Sequence, residues 1–465
     1  MKTSIHCLIV IGLLALAACS APAAGSPTAT SPAAPATRDQ ATSQEEAIAL
    51  AERFFQIFVI EQDFAAATGD FDGAMHSALP EAKLKETWET LIQQVGAYQT
   101  RVGAPTVEQV DQYARVVIAL TFENATLDMR VVVDTTTGLI SGLFFSPSSA
   151  QPYEAPNYVD TEAFEEREVI VGSGEWQLPG VLTLPQGAGP FPAIVLVHGS
   201  GPNDRDETIG PNKPFKDLAW GLASRGSAVL RYDKRTKVYP DKLTALEGGL
   251  TVKEEVIDDA IAAVDLLRQT DSIDPERIFV LGHSLGGMLV PRIAQADPAI
   301  AGLISLAGPT RPLEELVLEQ TRYILSLNGQ PSVAEQQQLR AIEQQVEAIR
   351  ALKPSDDIPA DTVLLGAPPQ YWLDLQGYDP AASGSALPRP MLILQGERDY
   401  QVTLVDFQRW TEALSDRDDV TLKAYPDLNH LFIAGTGQST PDEYATSGHV
   451  AATVIEDIAN WIDQQ

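Results

Sequence analysis

A serine framed by glycines is the first feature of this sequence that could do chemistry. The pentad Gly282-His283-Ser284-Leu285-Gly286 follows an apolar run at residues 278–281 and precedes a helical pattern that begins at residue 287. A strand, a tight turn and a helix in this order can present a serine hydroxyl on a strained backbone, with glycines leaving it room. Ser284 is therefore predicted to be a nucleophile for acyl transfer.

A serine hydroxyl needs a base, which is normally histidine. Of the six histidines, four are set aside because they lie near the amino terminus, in a different domain or within backbone motifs: His6, His76, His198 and His283. His430 follows a strand predicted at residues 421–424 through a short loop, which places it at the sheet edge where the serine turn opens. His430 is the favoured base, and His449 at the start of the last helix is the alternative.

An acid must orient that histidine and stabilise its charged form. The strand predicted at residues 391–395 runs into Gly396-Glu397-Arg398-Asp399, so Asp399 lies in a loop at the same edge. The chain order Ser284, Asp399, His430 also fits a strand-turn-helix nucleophile. Asp399 is the favoured acid, with Glu397 and Asp427 as alternatives.

The negative oxygen formed during acyl transfer needs backbone N–H donors, each worth about 10²–10³ in rate. Leu285, directly after the nucleophile, is predicted to supply one. The loop His198-Gly199-Ser200-Gly201-Pro202 follows an apolar strand at residues 193–197, and its Ser200 is predicted to supply the other.

The elements that must position these residues alternate between strand and helix. Strands are predicted at residues 168–171, 178–184, 193–197, 228–232, 278–281, 303–306, 391–395 and 421–424, and helices at 215–224, 253–268 and 450–462. This alternation predicts an α/β domain at residues 157–465, a mostly parallel sheet with helices on both faces. An apolar helical insertion at about residues 309–388 is predicted to cap the active site.

The chain before this domain divides into three parts. Residues 1–18 have the charge, length and apolar run of a signal peptide, and Leu16-Ala17-Ala18-Cys19 resembles the lipobox of bacterial lipoproteins. That resemblance implies a lipid on Cys19 and an extracytoplasmic place on a bacterial membrane, on the cell surface or the periplasmic side. Residues 19–42 are rich in Ala, Pro, Ser and Thr and are predicted to be a flexible linker.

Residues 43–146 are predicted to form a small α+β domain. Helices are expected from residue 43 and at residues 81–95, followed by strands at 114–122, 127–133 and 139–145. The pattern resembles a domain of unknown function found ahead of secreted hydrolases, built as a cone like that of nuclear transport factor 2. No catalytic constellation is predicted in it.

Composition excludes some partners and thiol sites. The 63 Asp and Glu residues outnumber the 32 Lys and Arg, which gives a formal net charge of −31. Nucleic-acid binding requires clustered positive charge, so it is not expected. Of the two cysteines, Cys7 would be removed with the signal peptide and Cys19 would carry the lipid. We therefore expect no disulfide and no cysteine metal site.

The combined motifs resemble secreted α/β-hydrolases related to dienelactone hydrolases and prolyl-oligopeptidase-type enzymes, closest to esterases with a small leading domain. The resemblance rests on these segments: 198–202, Asp204-Arg205-Asp206, Arg231-Tyr232-Asp233-Lys234-Arg235, 282–287, 396–399 and Asn429-His430. It implies hydrolysis of short-chain carboxylic esters without a metal or organic cofactor. A serine peptidase, an acyltransferase and a non-catalytic surface binding protein are the alternatives.

Four residues are candidates for contacts with a substrate: His198, Arg205, Tyr371 and Trp372. For Arg205, and for the pair Lys234-Arg235, bracing of the active-site loops is favoured over contact with a substrate carboxylate. For Tyr371-Trp372, core packing is an equal alternative.

Overall fold

The computed structural model describes residues 38–110, 112–123, 125–148, 153–246, 249–327, 329–355, 358–359 and 362–465. The predicted signal peptide, Cys19 and most of the predicted linker lie outside the described residues. Within these ranges, none of the helices combines the length and the apolar character that crossing a membrane requires.

The first part of the described chain packs helices onto an antiparallel sheet. The helices are α1 (Arg38–Phe55), α2 (Phe64–Ala67), α3 (Gly73–Ala78) and α4 (Glu81–Val95), and the strands are β1 (Tyr98–Val110), β2 (Tyr113–Phe122), β3 (Thr126–Asp134) and β4 (Leu139–Pro147). The four strands pair in chain order. Ala47, Phe54 and Phe58 bury the helical layer in a core shared with the sheet. This arrangement agrees with the predicted small α+β domain, and β1 is a strand that the sequence analysis did not predict.

The second part is built on an eight-stranded sheet. Its strands are β5 (Phe164–Val171), β6 (Leu178–Pro185), β7 (Phe191–Val197), β8 (Ala228–Tyr232), β9 (Ile273–His283), β10 (Gly302–Leu306), β11 (Met391–Gly396) and β12 (Val420–Tyr425). The order is β12-β11-β10-β9-β7-β8-β6-β5. The six strands from β12 to β8 are parallel, while β5 and β6 form an antiparallel edge. The predicted α/β-hydrolase fold is confirmed.

Helices cover both faces of this sheet. They are α5 (Pro214–Ala223), α6 (Arg235–Val238), α7 (Pro240–Thr244), α8 (Asp258–Arg268), α9 (Leu285–Ala296), α10 (Leu313–Leu327), α11 (Val333–Ala351), α12 (Pro369–Leu375), α13 (Pro380–Ser385), α14 (Leu404–Leu414) and α15 (Ala452–Asp463). Helices α8 and α9 share one hydrophobic core with the sheet, and α5 and α15 share the core on the opposite face. The apolar strands between them are buried on both sides, which is typical of parallel sheets.

The parallel strands bring five loops to one edge. Because β7, β8, β9, β11 and β12 run in the same direction, the segments that follow them start at a common sheet edge. In open α/β sheets this carboxyl edge is where ligands bind.

Helices α10 and α11 belong to the insertion predicted to be a cap. The Ser332 side chain and Glu335 form a capping box that fixes the start of α11. Leu318, Ile342 and Val346 give the two helices a small core of their own. The ring of Tyr323 on α10 stacks on Tyr400 with 4.8 Å between ring centroids, so the insertion contacts the loop beside Asp399.

Candidate active site

Ser284 lies on a strained turn between β9 and α9. Its backbone has φ +52° and ψ −116°, outside the regions that most residues with a side chain occupy. The Ser284 amide donates to the carbonyl of Leu306 at 2.9 Å, which fixes the turn to the neighbouring strand. Such strain costs on the order of 1–3 kcal/mol and is found where function requires a particular side-chain direction.

The two glycines that frame Ser284 are required by close backbone contacts. A Cβ atom on Gly282 would lie 2.2 Å from the carbonyl group of Gly286, and one on Gly286 would lie 2.2 Å from the carbonyl oxygen of Val197. Neither contact is possible for a carbon atom, and backbone groups cannot rotate away as a side chain can. The strand, the turn and the helix can therefore pack this closely only with glycine at both positions.

His430 and Asp399 form a buried pair at the carboxyl edge. His430 Nδ1 lies 2.7 Å from Asp399 Oδ2, and each residue is 4% exposed. Asp399 Oδ1 accepts hydrogen bonds from the amides of Gln401 and Val402 at 2.8 and 3.0 Å. When the Nδ1–H group of His430 donates its hydrogen bond to this carboxylate, Nε2 is left as the nitrogen that can take a proton from a hydroxyl.

The alternative acids and the alternative base lie elsewhere. Glu397 and Asp427 are both exposed, and neither is a recorded partner of His430. His449 forms its own pair with Asp217, with Nδ1 and Oδ1 3.0 Å apart. Asp217 also accepts from the Val450 amide at 2.8 Å, so this second pair ties the last loop to α5.

The loop after β7 lies against the nucleophile. A Cβ atom placed on Gly199 would be 3.1 Å from Cβ of Ser284. The Gly199 amide is already committed, because it donates to Glu207 Oε1 at 2.6 Å. Within the described residues, the Ser200 amide donates no hydrogen bond, and neither does the Leu285 amide at the start of α9. These two N–H groups are thus free to bind a negative oxygen beside Ser284.

A buried Glu207–His283 pair lies next to these groups, and the sequence analysis did not single it out. Glu207 is 2% exposed with φ +50°, and its Oε2 lies 2.9 Å from His283 Nδ1. His283 Nε2 lies 2.9 Å from the carbonyl oxygen of His430. Burial alone would lower the pKa of His283, but the Glu207 carboxylate, the His430 carbonyl and the Asp399 carboxylate together raise it. The pair therefore links Gly199, the turn that carries Ser284, and His430.

Two of the four substrate-contact candidates lie in polar surroundings near the loop after β7. His198 is 1% exposed, its Nε2 lies 3.0 Å from the Asp204 carbonyl oxygen, and burial lowers its pKa to about 4. Arg205 binds Asp233 and Glu168 through its guanidinium group. These contacts favour bracing of the loop as the role of Arg205.

The aromatic candidates, Tyr371 and Trp372, are buried in the core. They are 7% and 5% exposed, and the indole nitrogen of Trp372 donates to the Leu364 carbonyl at 2.8 Å. Burial, and after it the negative charge of Glu255, raises the pKa of the Tyr371 hydroxyl. The contacts of both residues favour core packing, the alternative that the sequence left open.

Two neighbouring cations after β8 have separate partners. Lys234 Nζ donates to Glu255 and, at 2.7 Å, to the Gly199 carbonyl. Arg235 pairs with Asp259 on α8 and lies over the ring of Trp176, which precedes β6. Of the two cations, Lys234 is therefore the one whose side chain braces the loop after β7. Among the described residues no group of three or more His, Cys, Asp or Glu side chains is arranged to hold a metal ion.

Comparison with known proteins gives matches in both parts of the chain. Residues 194–446 match the alpha/beta hydrolase family, and residues 51–141 match a family described as a protein of unknown function (DUF3887). The esterase EstD of Thermotoga maritima is 42% identical over 401 residues, which cover 86% of this chain and 92% of that protein.

Two further similarities are more distant. The 2,6-dihydropseudooxynicotine hydrolase of Paenarthrobacter nicotinovorans is 27% identical over 143 residues, 31% of this chain and 35% of that protein. The solved structure of Est1E from Butyrivibrio proteoclasticus is 15% identical, with a TM-score of 0.41 over 64% of this chain and 99% of that one.

Proposed function

The chain belongs to the alpha/beta hydrolase family, and from that premise we propose that it is a serine esterase that cleaves short-chain carboxylic esters. The observation that carries the proposal is the Asp399–His430 pair at the sheet edge where the strained Ser284 turn opens. The esterase EstD, 42% identical over most of both chains, supports the same activity.

The proposed reaction has two acyl-transfer steps. His430 Nε2 takes the proton of the Ser284 hydroxyl as its oxygen attacks the ester carbonyl carbon. The N–H groups of Ser200 and Leu285 bind the negative oxygen of the tetrahedral intermediate, with the amino-terminal end of α9 adding a favourable dipole. The intermediate collapses to an acyl-enzyme, and the alcohol leaves with the proton from His430. Water, activated by His430, then releases the acid and restores Ser284.

A substrate panel tests the proposal against a peptidase or an acyltransferase on the same fold. Protein lacking residues 1–37 is assayed with p-nitrophenyl acetate, butyrate, octanoate and dodecanoate, and with aminoacyl p-nitroanilides. An esterase for short chains turns over acetate and butyrate fastest, with little cleavage of the amides. Amide cleavage without ester preference would contradict the proposal. Faster release of p-nitrophenol on addition of an alcohol, with a new ester as product, would indicate acyl transfer.

We also propose that the protein is an extracytoplasmic lipoprotein, anchored through Cys19 to a bacterial membrane on the cell surface or the periplasmic side. The support is the Leu16-Ala17-Ala18-Cys19 segment after an apolar run of signal-peptide length. Metabolic labelling with radioactive palmitate should mark the wild type and Cys7→Ala but not Cys19→Ala. Equal labelling of the two variants, or none in the wild type, would contradict the anchor.

A further inference from the structure

The second oxyanion donor belongs to a peptide unit that is held from its other side. The N–H of Ser200 and the C=O of Gly199 are parts of one planar peptide group, and in a trans peptide they point in opposite directions. Any group that binds the Gly199 carbonyl therefore sets the direction of the Ser200 N–H. Lys234 Nζ donates to that carbonyl at 2.7 Å, and the side-chain amide of Asn203 donates to it at 3.2 Å.

Lys234 is buried together with its counterion. It is 2% exposed, and its ammonium group pairs with the carboxylate of Glu255, whose side chain is 7% exposed. A buried charge is costly unless it is paired and hydrogen-bonded, and here the ammonium group donates to two buried acceptors, the Glu255 carboxylate and the Gly199 carbonyl. Lys234 thus holds Gly199 with a side chain that has little freedom to move.

The segment around Lys234 holds the rest of the oxyanion loop as well. The Lys234 amide donates to the Asn203 carbonyl at 3.0 Å, and the Thr236 hydroxyl donates to the Gly201 carbonyl at 3.2 Å. On the opposite side of Gly199, the preceding peptide group is His198–Gly199. Its N–H, the Gly199 amide, donates to the Glu207 carboxylate at 2.6 Å. Gly199 is therefore held on both sides, with its amide bound by the buried Glu207 carboxylate and its carbonyl bound by the buried Lys234 ammonium group.

We propose that Lys234 is a positioning residue for acyl transfer, whose ammonium group orients and polarises the Gly199–Ser200 peptide so that the Ser200 N–H binds the oxyanion. This inference rests on the proposed esterase function. A peptide whose carbonyl accepts from a cation is a stronger donor at its N–H, since hydrogen bonds in series polarise each other. Lys234 need not touch the substrate for this effect.

The inference predicts which kinetic constant depends on Lys234. An N–H donor aimed at the oxyanion acts on the transition state much more than on the bound ester. Weakening that donor should lower kcat and leave KM nearly unchanged. It should also weaken binding of a trifluoromethyl ketone, which forms a tetrahedral adduct with an oxyanion on Ser284. A residue that only supported the loop's stability would not separate kcat from KM in this way.

The test compares two neighbouring buried ion pairs. The double variant K234M/E255Q removes both charges of the first pair, so neither charge is left buried without its counterion. The matched control R235M/D259N removes both charges of the adjacent pair. In that pair the Arg235 side chain contacts Asp259 and the ring of Trp176. For p-nitrophenyl acetate we expect kcat of K234M/E255Q to fall by about 10–100-fold, below the loss of a whole donor. Its KM should stay within about 2-fold, and the control should keep both constants within about 3-fold.

Several results would overturn the inference. The first is a folded K234M/E255Q variant with the kcat of the wild type. The second is a variant in which KM changes and kcat does not, and the third is a control whose kcat falls as much as that of K234M/E255Q. If circular dichroism shows that K234M/E255Q is unfolded, K234Q/E255Q is tested instead, with R235Q/D259N as its control. The glutamine at position 234 has a side-chain amide that can donate to the Gly199 carbonyl without carrying a charge. The kcat of K234Q/E255Q should then fall by at least about 5-fold, part of the value of one donor, and wild-type kcat would refute the inference.

The wild type separates this inference from the proposed function. If the wild type hydrolyses no ester, the proposed esterase function is refuted. The role of Lys234 is tested separately, by the ratio of kcat between K234M/E255Q and its control. If the wild type does not hydrolyse esters, the rate at which a fluorophosphonate reacts with Ser284 is measured in place of kcat. That reaction also places negative charge on an oxygen that the Ser200 and Leu285 N–H groups can bind. Slower reaction only in the Lys234–Glu255 variants supports the inference, and equal rates or no reaction contradict it.

Discussion

At the scale of single residues, the molecule holds two similar His–Asp pairs with different surroundings. His430 lies 2.7 Å from Asp399 in the loops after β12 and β11, while His449 lies 3.0 Å from Asp217 on α5. Only the first pair shares the sheet edge with Ser284, and the second is bound to the Val450 amide and the Tyr153 hydroxyl. The two pairs form a natural comparison for the assignment of the base.

Replacement of each histidine by alanine should have opposite consequences for activity. We expect His430→Ala to lower kcat/KM for p-nitrophenyl acetate by about 10³–10⁶-fold, the range seen when a triad loses its base. His449→Ala should stay within about 3-fold of the wild type at neutral pH, because its side chain lies on the α5 side of the sheet. Steady-state kinetics on folded variants checks this, and equal losses would contradict the assignment.

The His449–Asp217 pair should make stability depend on pH. Its hydrogen bond to the Asp217 carboxylate raises the pKa of His449 above the ordinary value. The folded protein then binds this proton more tightly than the unfolded chain, so the stabilisation is complete below about pH 6.5 and is lost as pH rises through the raised pKa. Replacing His449 by Gln should lower the free energy of unfolding more at about pH 5.5 than at about pH 9. Urea unfolding at both values measures this, and the same loss at both would refute it.

The sequence was informative about some residues of the site and silent about others. Ser284, Asp399 and His430 follow predicted strands at recognisable spacing, so the fold's chain order was enough to propose them. Glu207 was not found, because its importance comes from its positive φ and from partners 8 and 76 positions away in the chain, Gly199 and His283. Contacts of this kind depend on the folded loop and leave no local pattern.

At the scale of elements, the turn that carries Ser284 depends on close packing between β7, β9 and α9. The carbonyl oxygen of Val197, the last residue of β7, fills the position where a Cβ of Gly286 would lie. Presentation of the Ser284 hydroxyl therefore requires a strained backbone at Ser284 and glycine at positions 282 and 286.

Gly286→Ala should damage both stability and activity. Because the added methyl group would lie 2.2 Å from a backbone oxygen, α9 must shift away from β7. We expect a loss of about 2–3 kcal/mol in the free energy of unfolding, as for overpacked cores, and at least about a 10²-fold fall in kcat, since displacing Leu285 removes an oxyanion donor. Gly73→Ala, at an open helix start, should stay within about 0.5 kcal/mol. Urea unfolding and esterase assays check both, and equal stabilities would contradict the packing argument.

The element that the sequence analysis missed has a physical explanation. Strand β1 pairs only with β2, and its register shifts between Val102 and Thr106 around Gly103 and Pro105. Glycine and proline are depleted in strands except at edges and bulges. The alternating burial of β2, by contrast, comes from a run of apolar residues at every second position, and that pattern predicts a strand directly.

At the scale of the whole molecule, the chain has separate hydrophobic cores for its two predicted domains. Residues 47–140 supply the core of the small domain, and the parallel sheet has one core on each face. Composition and the alternation of strands and helices predicted this division, and the domain bounds themselves stay predictions. The contact of α10 with the loop beside Asp399 could not be predicted, because it depends on the stacking of Tyr323 on Tyr400 across the fold.

The central claim is that Ser284 is the nucleophile of an esterase, and one comparison tests it most directly. Wild type and Ser284→Ala, both lacking residues 1–37, are assayed with p-nitrophenyl acetate and butyrate and treated with a fluorophosphonate before mass spectrometry. We expect kcat of the variant to fall by several orders of magnitude, about 10⁴–10⁶-fold, and the label to appear on Ser284 of the wild type only. Equal ester hydrolysis by both proteins, with no label on Ser284, would contradict the claim and favour a binding protein built on a hydrolase scaffold.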